Sequence, residues 1–243
     1  MRNFFTIWRR ELTAYFLSPI AYVTIVIFLS MGGWVFLQAA IAKTGVIESL
    51  AVLLFMSILF WLPPLTTVIA MRLFAEEKRM GTIETLMTAP VTDVEIVLGK
   101  YAGALSFLLI TVLPAASFIY MLTAISPGQN PIDSGGMLGG CLVVVLLSMT
   151  AVAIGLMVSI LTKNQIVAAI CIFCAVCVPF FLKQMASVLP GASDRVLDFL
   201  SIESHILDFA RGSVNTRVIV LYLSTTVFLL FVSVKLLEIR RWK

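Results

Sequence analysis

The chain has 243 residues, 60% of them apolar, and charged residues make up 12%, about half the share of a soluble domain. One globular core cannot hide that much apolar surface, which excludes an ordinary water-soluble enzyme and points to the bilayer as solvent. The net charge of +4 is unevenly spread: residues 72–100 hold nine of the thirty charged side chains.

Residues 1–17 open the chain. Phe4, Phe5, Trp8, Leu12, Tyr15 and Phe16 share one helical face, with Arg2, Thr6, Arg9, Arg10 and Thr13 opposite. An interfacial helix needs this pattern, with aromatic rings in the headgroup layer and arginines toward anionic lipid. Its candidate contact residues are Phe4, Phe5, Trp8, Arg9, Arg10 and Glu11. A basic flank that only sets topology is the plainer alternative.

Uncharged runs follow at Leu12–Ala42, Ser49–Met71, Tyr101–Ile132, Ser134–Thr162, Asn164–Leu182 and Val218–Val234. A crossing helix needs about 20 apolar residues, and lipid cannot satisfy a bare backbone. The chain therefore reads as an all-α polytopic membrane protein with six spans, near 19–42, 50–71, 97–124, 137–161, 165–183 and 217–237. The first run is longer than a signal-peptide core of about 7–15 residues and lacks a clear cleavage site, so it is read as retained. Pro63-Pro64 and Pro114 mark expected kinks. Gly99/Gly103, Gly135/Gly139 and Gly136/Gly140 are small-residue pairs that allow close helix approach.

The stretch 72–100 must lie in water or against protein. Arg72 and Glu76 are four apart, so the second span can continue as helix. Gly81 suits the position past a helix end, and Thr82 can cap a short helix with Glu84 in its first turn. Ile83, Leu86 and Met87 give that helix an apolar face, and Ala89-Pro90 ends it. Thr92-Asp93-Val94-Glu95 reads as a capping box, with Val91 and Ile96 as its staple. A mere reversal of the chain needs only a few residues, so an ordered projection of this length hints at a docking partner. A well-capped connector is the plainer alternative.

Residues 184–216 carry short apolar faces, Val196/Leu197/Leu200 and Ile206/Leu207/Phe209/Ala210, with Gly212 as a helix end. They read as two short outer helices, or else as a solvated loop with amphipathic turns. Cys171, Cys174 and Cys177 have metal-like spacing but sit in an apolar run without a His or acid, and read as small apolar side chains.

Basic residues prefer short cytoplasmic segments. With both termini inside, twelve of the seventeen lysines and arginines lie inside and Lys43, Lys183, Arg195, Arg211 and Arg217 outside. That places 72–100 in the cytoplasm. The chain has no phosphate-binding G-x-x-x-x-G-K-[ST] loop, no ionisable residue is expected at membrane depth, and no nucleophile has a base in plausible reach. Energy must come from another chain, and no nucleic-acid partner is expected.

The stretch "RLFAEEKRMGTIETLMTAPVTDVEIVLGK" resembles the signature loop of permease subunits of ABC-2-type transporters. "WRRELTAYFLSPIAYV" and "SIESHILDFARGSVNTRVIVLYL" resemble the gliding-motility-associated group of such permeases. The resemblance covers nearly the whole chain. It implies a permease subunit of an ATP-binding cassette exporter in the bacterial inner membrane, paired with a second identical or related permease and at times an accessory membrane subunit. Residues 72–100 would be the coupling loop, docking a cytoplasmic ATPase through Glu76, Glu77, Lys78, Arg79, Gly81, Thr82, Ile83, Glu84, Leu86, Met87 and Pro90, with the N-terminal helix touching the same subunit. The chain itself would bind no cofactor, and ATP and Mg would sit on the ATPase. The alternative is a non-transporting scaffold that anchors an ATPase-driven assembly.

Overall fold

A computed structural model describes residues 2–41, 47–81, 91–118, 121, 134–188 and 199–241. Among these residues the chain is all helical, with no strand. The helices are α1 (Arg2–Leu17), α2 (Pro19–Ile41), α3 (Ile47–Ala70), α4 (Ala75–Met80), α5 (Asp93–Val112), α6 (Ser134–Leu161), α7 (Gln165–Val188), α8 (Ile202–Ala210) and α9 (Thr216–Arg241). Among the described residues, five stretches are long and apolar enough to cross a membrane: Pro19–Gln38, Leu54–Met80, Asp93–Ala115, Gly135–Leu161 and Thr216–Ile239. The apolar part of α7, Gln165–Phe181, is shorter.

Helix α6 is the spine. Helices α3, α5, α7, α8 and α9 all pack on it. Its interior face is made of small and branched residues, among them Val143, Val152, Ala153 and Leu156, all sealed from solvent. Helices α2 and α9 keep most of their apolar side chains outward, including Val26, Trp34, Val227 and Phe231.

Local signals explain the boundaries. Helix α5 starts at a capping box: Thr92 Oγ1 accepts the Glu95 N–H at 3.3 Å, and the Thr92 N–H donates to Glu95 Oε2 at 3.3 Å, satisfying orphan donors of the first turn. Ile96 is buried, with Val91 packed on the same core, as the staple requires. Pro63 and Pro64 lie within α3, where Thr67 Oγ1 donates to the Pro63 carbonyl at 2.8 Å. At Pro114 the regular helix gives way to a 3-10 turn, Leu113–Ala116. Helix α8 ends with Gly212 at φ 79°, the Ser213 N–H reaching the Asp208 carbonyl and the Gly212 N–H the Phe209 carbonyl, the paired bonds of a Schellman ending. It lies across the start of α6, where a Cβ at Gly139 would meet the Phe209 carbonyl. Residues 189–198, with Val196 and Leu197, lie outside the described residues, as do Asp133 and the tail residues Trp242 and Lys243.

The N-terminal helix departs from the sequence reading in one respect. An aromatic face immersed in headgroups was expected, but much of that side packs on protein. Ile7 and Tyr15 are buried against α5, Tyr15 stacks on Phe107 with centroids 5.1 Å apart, and its hydroxyl donates to the Ile69 carbonyl. Trp8 Nε1 donates to Ser106 Oγ at 3.0 Å. The reason is the pair Gly99/Gly103. Without side chains there, α1 comes so close that a Cβ at 103 would sit 2.7 Å from the Glu11 Cβ, and one at 99 would sit 2.7 Å from Ile7 Cγ2. Phe5, Arg9, Arg10 and Thr13 face outward.

Gly103→Leu should lift α1 off α5, since overpacking a close contact typically costs about 1–3 kcal/mol. The expected outcome is a lower melting temperature in detergent and loss of disulfide trapping between cysteines placed at positions 8 and 106. Normal trapping would show that α1 is held by something other than the glycine face.

Candidate functional site

The charged stretch is built from two helix ends and a turn. Helix α3 stops at Ala70, residues 71–74 form a turn, and α4 follows. The second span therefore does not continue as one helix, which corrects the sequence reading. The Arg72–Glu76 pair nonetheless forms across the turn, at 3.4 Å, and Arg72 also donates to Ser18 Oγ at 2.9 Å, tying the turn to the α1–α2 corner. Gly81 ends α4 in the left-handed conformation, φ 71°. Thr82, Ile83, Glu84, Leu86, Met87 and Pro90 lie outside the described residues.

At the root of this stretch sits a sealed lysine. Lys100 is 1% exposed, and its ammonium lies 3.0 Å from Glu11 Oε1 and 2.7 Å from Glu77 Oε1. Its third direction is covered by the Phe74 ring, 5.1 Å to the centroid. An ammonium has three donors, and here two carboxylates and a π face meet them. Arg10 lies against the same acids, 2.9 Å from Glu11 and 3.6 Å from Glu77. The cluster thus joins α1, α4 and α5 with two acids and two bases. Burial by itself would raise the Glu11 pKa, but the charge of Lys100 and the hydrogen bonds from Arg10 and Lys100 outweigh it, and the net shift is downward.

A second tie reaches α6. Lys78 donates to the carbonyls of Ser159, Ile160 and Thr162 at the end of α6. Those carbonyls lack helical donors and carry the negative end of the helix dipole. Ser159 Oγ in turn accepts the backbone N–H groups of Phe74 and Ala75, at 3.0 and 3.1 Å. So Glu77 and Lys78 are turned onto the chain's own helices, Glu76 pairs with Arg72, and Arg79 and Met80 face outward.

Sequence reasoning named Glu77, Arg10 and Glu11 separately but missed that Lys100 gathers them, and named Lys78 without its tie to the end of α6. A signal was present. Lys100 lies in the Gly99–Gly103 stripe, so any helix drawn to those glycines must also cover the lysine. Glu11 is the sole acid before Glu48 and is the natural partner. Cys171 and Cys174 are exposed on α7 and Cys177 is half-buried, all three as free thiols. Among the described residues no group of three His, Cys, Asp or Glu side chains could hold a metal ion.

Removing one member of a buried charge cluster costs about 3–5 kcal/mol. Lys100→Met should therefore destabilise the protein strongly, and adding Glu11→Gln with Glu77→Gln should recover much of the loss, as read from thermal unfolding. Because the folded Glu11 pKa lies below the ordinary 4.5, its contribution is complete above that pH and is lost as pH falls through the folded value. Glu11→Gln should accordingly flatten the acid limb of the stability curve below about pH 4.5.

The sequence profile of the family described as ABC-2 family transporter protein matches residues 12–234. No curated protein matches the chain. The matched range contains four of the five membrane-length stretches whole and most of the fifth, together with Lys100 and its partner Glu77, with Glu11 immediately before it. Permeases of this family are membrane components without ATPase activity of their own and generally work with a cytoplasmic ATPase subunit. The chain belongs to the ABC-2 family of transporter proteins.

Proposed function

We propose that the chain is the membrane-spanning subunit of an ATP-driven exporter and that residues 72–100 are its coupling loop. The carrying observation is the Lys100 cluster, which fastens both ends of that loop to α1, while Lys78 and Ser159 fasten it to α6. A partner pressing on residues 82–90 would bear on a root shared by four helices. A loop that only reversed the chain would have no use for such fastening. ATP and Mg would bind to a separate ATPase, which meets the loop and the outward face of α1 with Arg9 and Arg10. A second permease chain, identical or related, completes the pathway. The two fragments that resemble gliding-motility-associated permeases support a reading of the chain as one of that group, with an accessory membrane subunit as a further partner.

Helix α7 is the sixth span in this reading. Its 24 residues reach about 36 Å at 1.5 Å per residue, enough to cross the hydrocarbon. Six crossings would put both termini on one side, and the excess of basic residues there supports a cytoplasmic side, in a bacterial inner membrane by the resemblance.

Leu86→Asp with Met87→Asp should abolish co-purification of the ATPase while the permease still inserts. Unchanged co-purification would remove the docking role. A non-transporting scaffold would share the docking but not the response to cargo: in an exporter, substrate stimulates ATP hydrolysis by the reconstituted complex.

A further inference from the structure

At the end of the bundle remote from the Lys100 cluster, beneath α8, lies a cavity of about 180 Å³. Its walls come from α3, α6, α7 and α9, with Leu200 and Ile202 closing one end. Among the described residues that line it, three carry a hydroxyl, Thr150, Thr225 and Tyr222, and each hydroxyl is engaged elsewhere. Thr150 Oγ1 pairs with Thr226 Oγ1 at 3.0 Å, Thr225 Oγ1 donates to the Leu221 carbonyl at 2.7 Å, and the Tyr222 hydroxyl pairs with His205 Nδ1 at 2.8 Å. These hydroxyls leave the lumen little to offer a water molecule, which needs two to four polar partners, and an apolar cavity of about 150 Å³ stays dry and takes up small hydrocarbons.

The flanks show where an occupant would come from. Val178 and Phe181 on α7 and Val220 and Leu223 on α9 are large, apolar and exposed, as is Leu200 at the rim. In a membrane protein, apolar flanks that no other chain covers face hydrocarbon, so on that footing what would reach the cavity from outside is the bilayer itself.

We propose that this cavity binds one acyl chain of a bilayer lipid, entering between α7 and α9 in the half of the membrane nearer α8. With the hydroxyls of the described wall engaged, that wall offers little polar discrimination, so selection there is by chain shape and not by headgroup. The proposal needs only the membrane setting and is independent of ATPase docking.

The test uses the full chain reconstituted without any ATPase in phosphatidylethanolamine–phosphatidylglycerol vesicles doped with a phospholipid carrying a diazirine on one acyl chain. After irradiation, label is expected in peptides containing Phe180, Leu200 and Leu221. Ala151→Phe, which fills the cavity from α6, and Thr225→Phe, which fills it from the partly exposed α9 wall, should each abolish that label. Labelling of the outer face of α2 should stay at its wild-type level, which also verifies that the variants are inserted and folded. Equal cavity label in the Thr225→Phe variant, or label confined to the outer faces of α2 and α9, would overturn the proposal. So would a mouth closed by a second copy of the chain, seen as cavity label that appears only when dimers are dissociated.

Discussion

A lysine sealed from water must have its charge matched on the spot, because an uncompensated buried ion costs several kcal/mol. Lys100 meets that demand with Glu11 from α1 and Glu77 from α4, two residues distant in sequence. The requirement fixes more than one contact. Glu11 reaches Lys100 only if α1 lies in the groove that Gly99 and Gly103 leave open, and Glu77 reaches it only if the chain turns sharply after α3. Such a cluster adds little net stability compared with an apolar replacement. Its effect here is placement, because a slip of α1 by one turn would leave acids and lysine unmatched.

From that point the rest of the bundle follows. The face of α5 away from α1 is tied to α6 through the Tyr101 hydroxyl, which donates to the Met149 carbonyl at 3.1 Å. Helix α6 then receives α9 along its length, with Thr150 and Thr226 as a polar contact in an apolar seam. At the far end, His205 on α8 pairs with Tyr222 on α9. The charged ties among the described residues are thus gathered at the Lys100 end, and the buried polar groups of the body are hydroxyls such as Thr67, Thr111, Ser148 and Thr150.

Much of this was legible in the residues. The uncharged runs gave the helices because only a continuous helix satisfies its own backbone in hydrocarbon. The capping box at Thr92–Glu95 and the stops at Gly81 and Gly212 were readable because they depend on neighbours in sequence. The α3–α4 turn was not, since Arg72 and Glu76 have helical spacing whether or not the helix is continuous. The burial of α1 was also missed. An amphipathic pattern says that one face needs cover but does not say whether lipid or protein provides it. The clusters around Lys100 and Lys78 join residues 23 to 89 positions apart, beyond the reach of any local rule.

The way Lys78 closes α6 has a mechanical corollary. One ammonium serves three backbone carbonyls, and Ser159 returns two bonds to the chain at the start of α4. Five hydrogen bonds therefore share a single joint. Withdrawing the lysine would leave all three acceptors in need of new partners together. The joint therefore links the end of α6 to the start of α4, so a displacement of either is felt by the other.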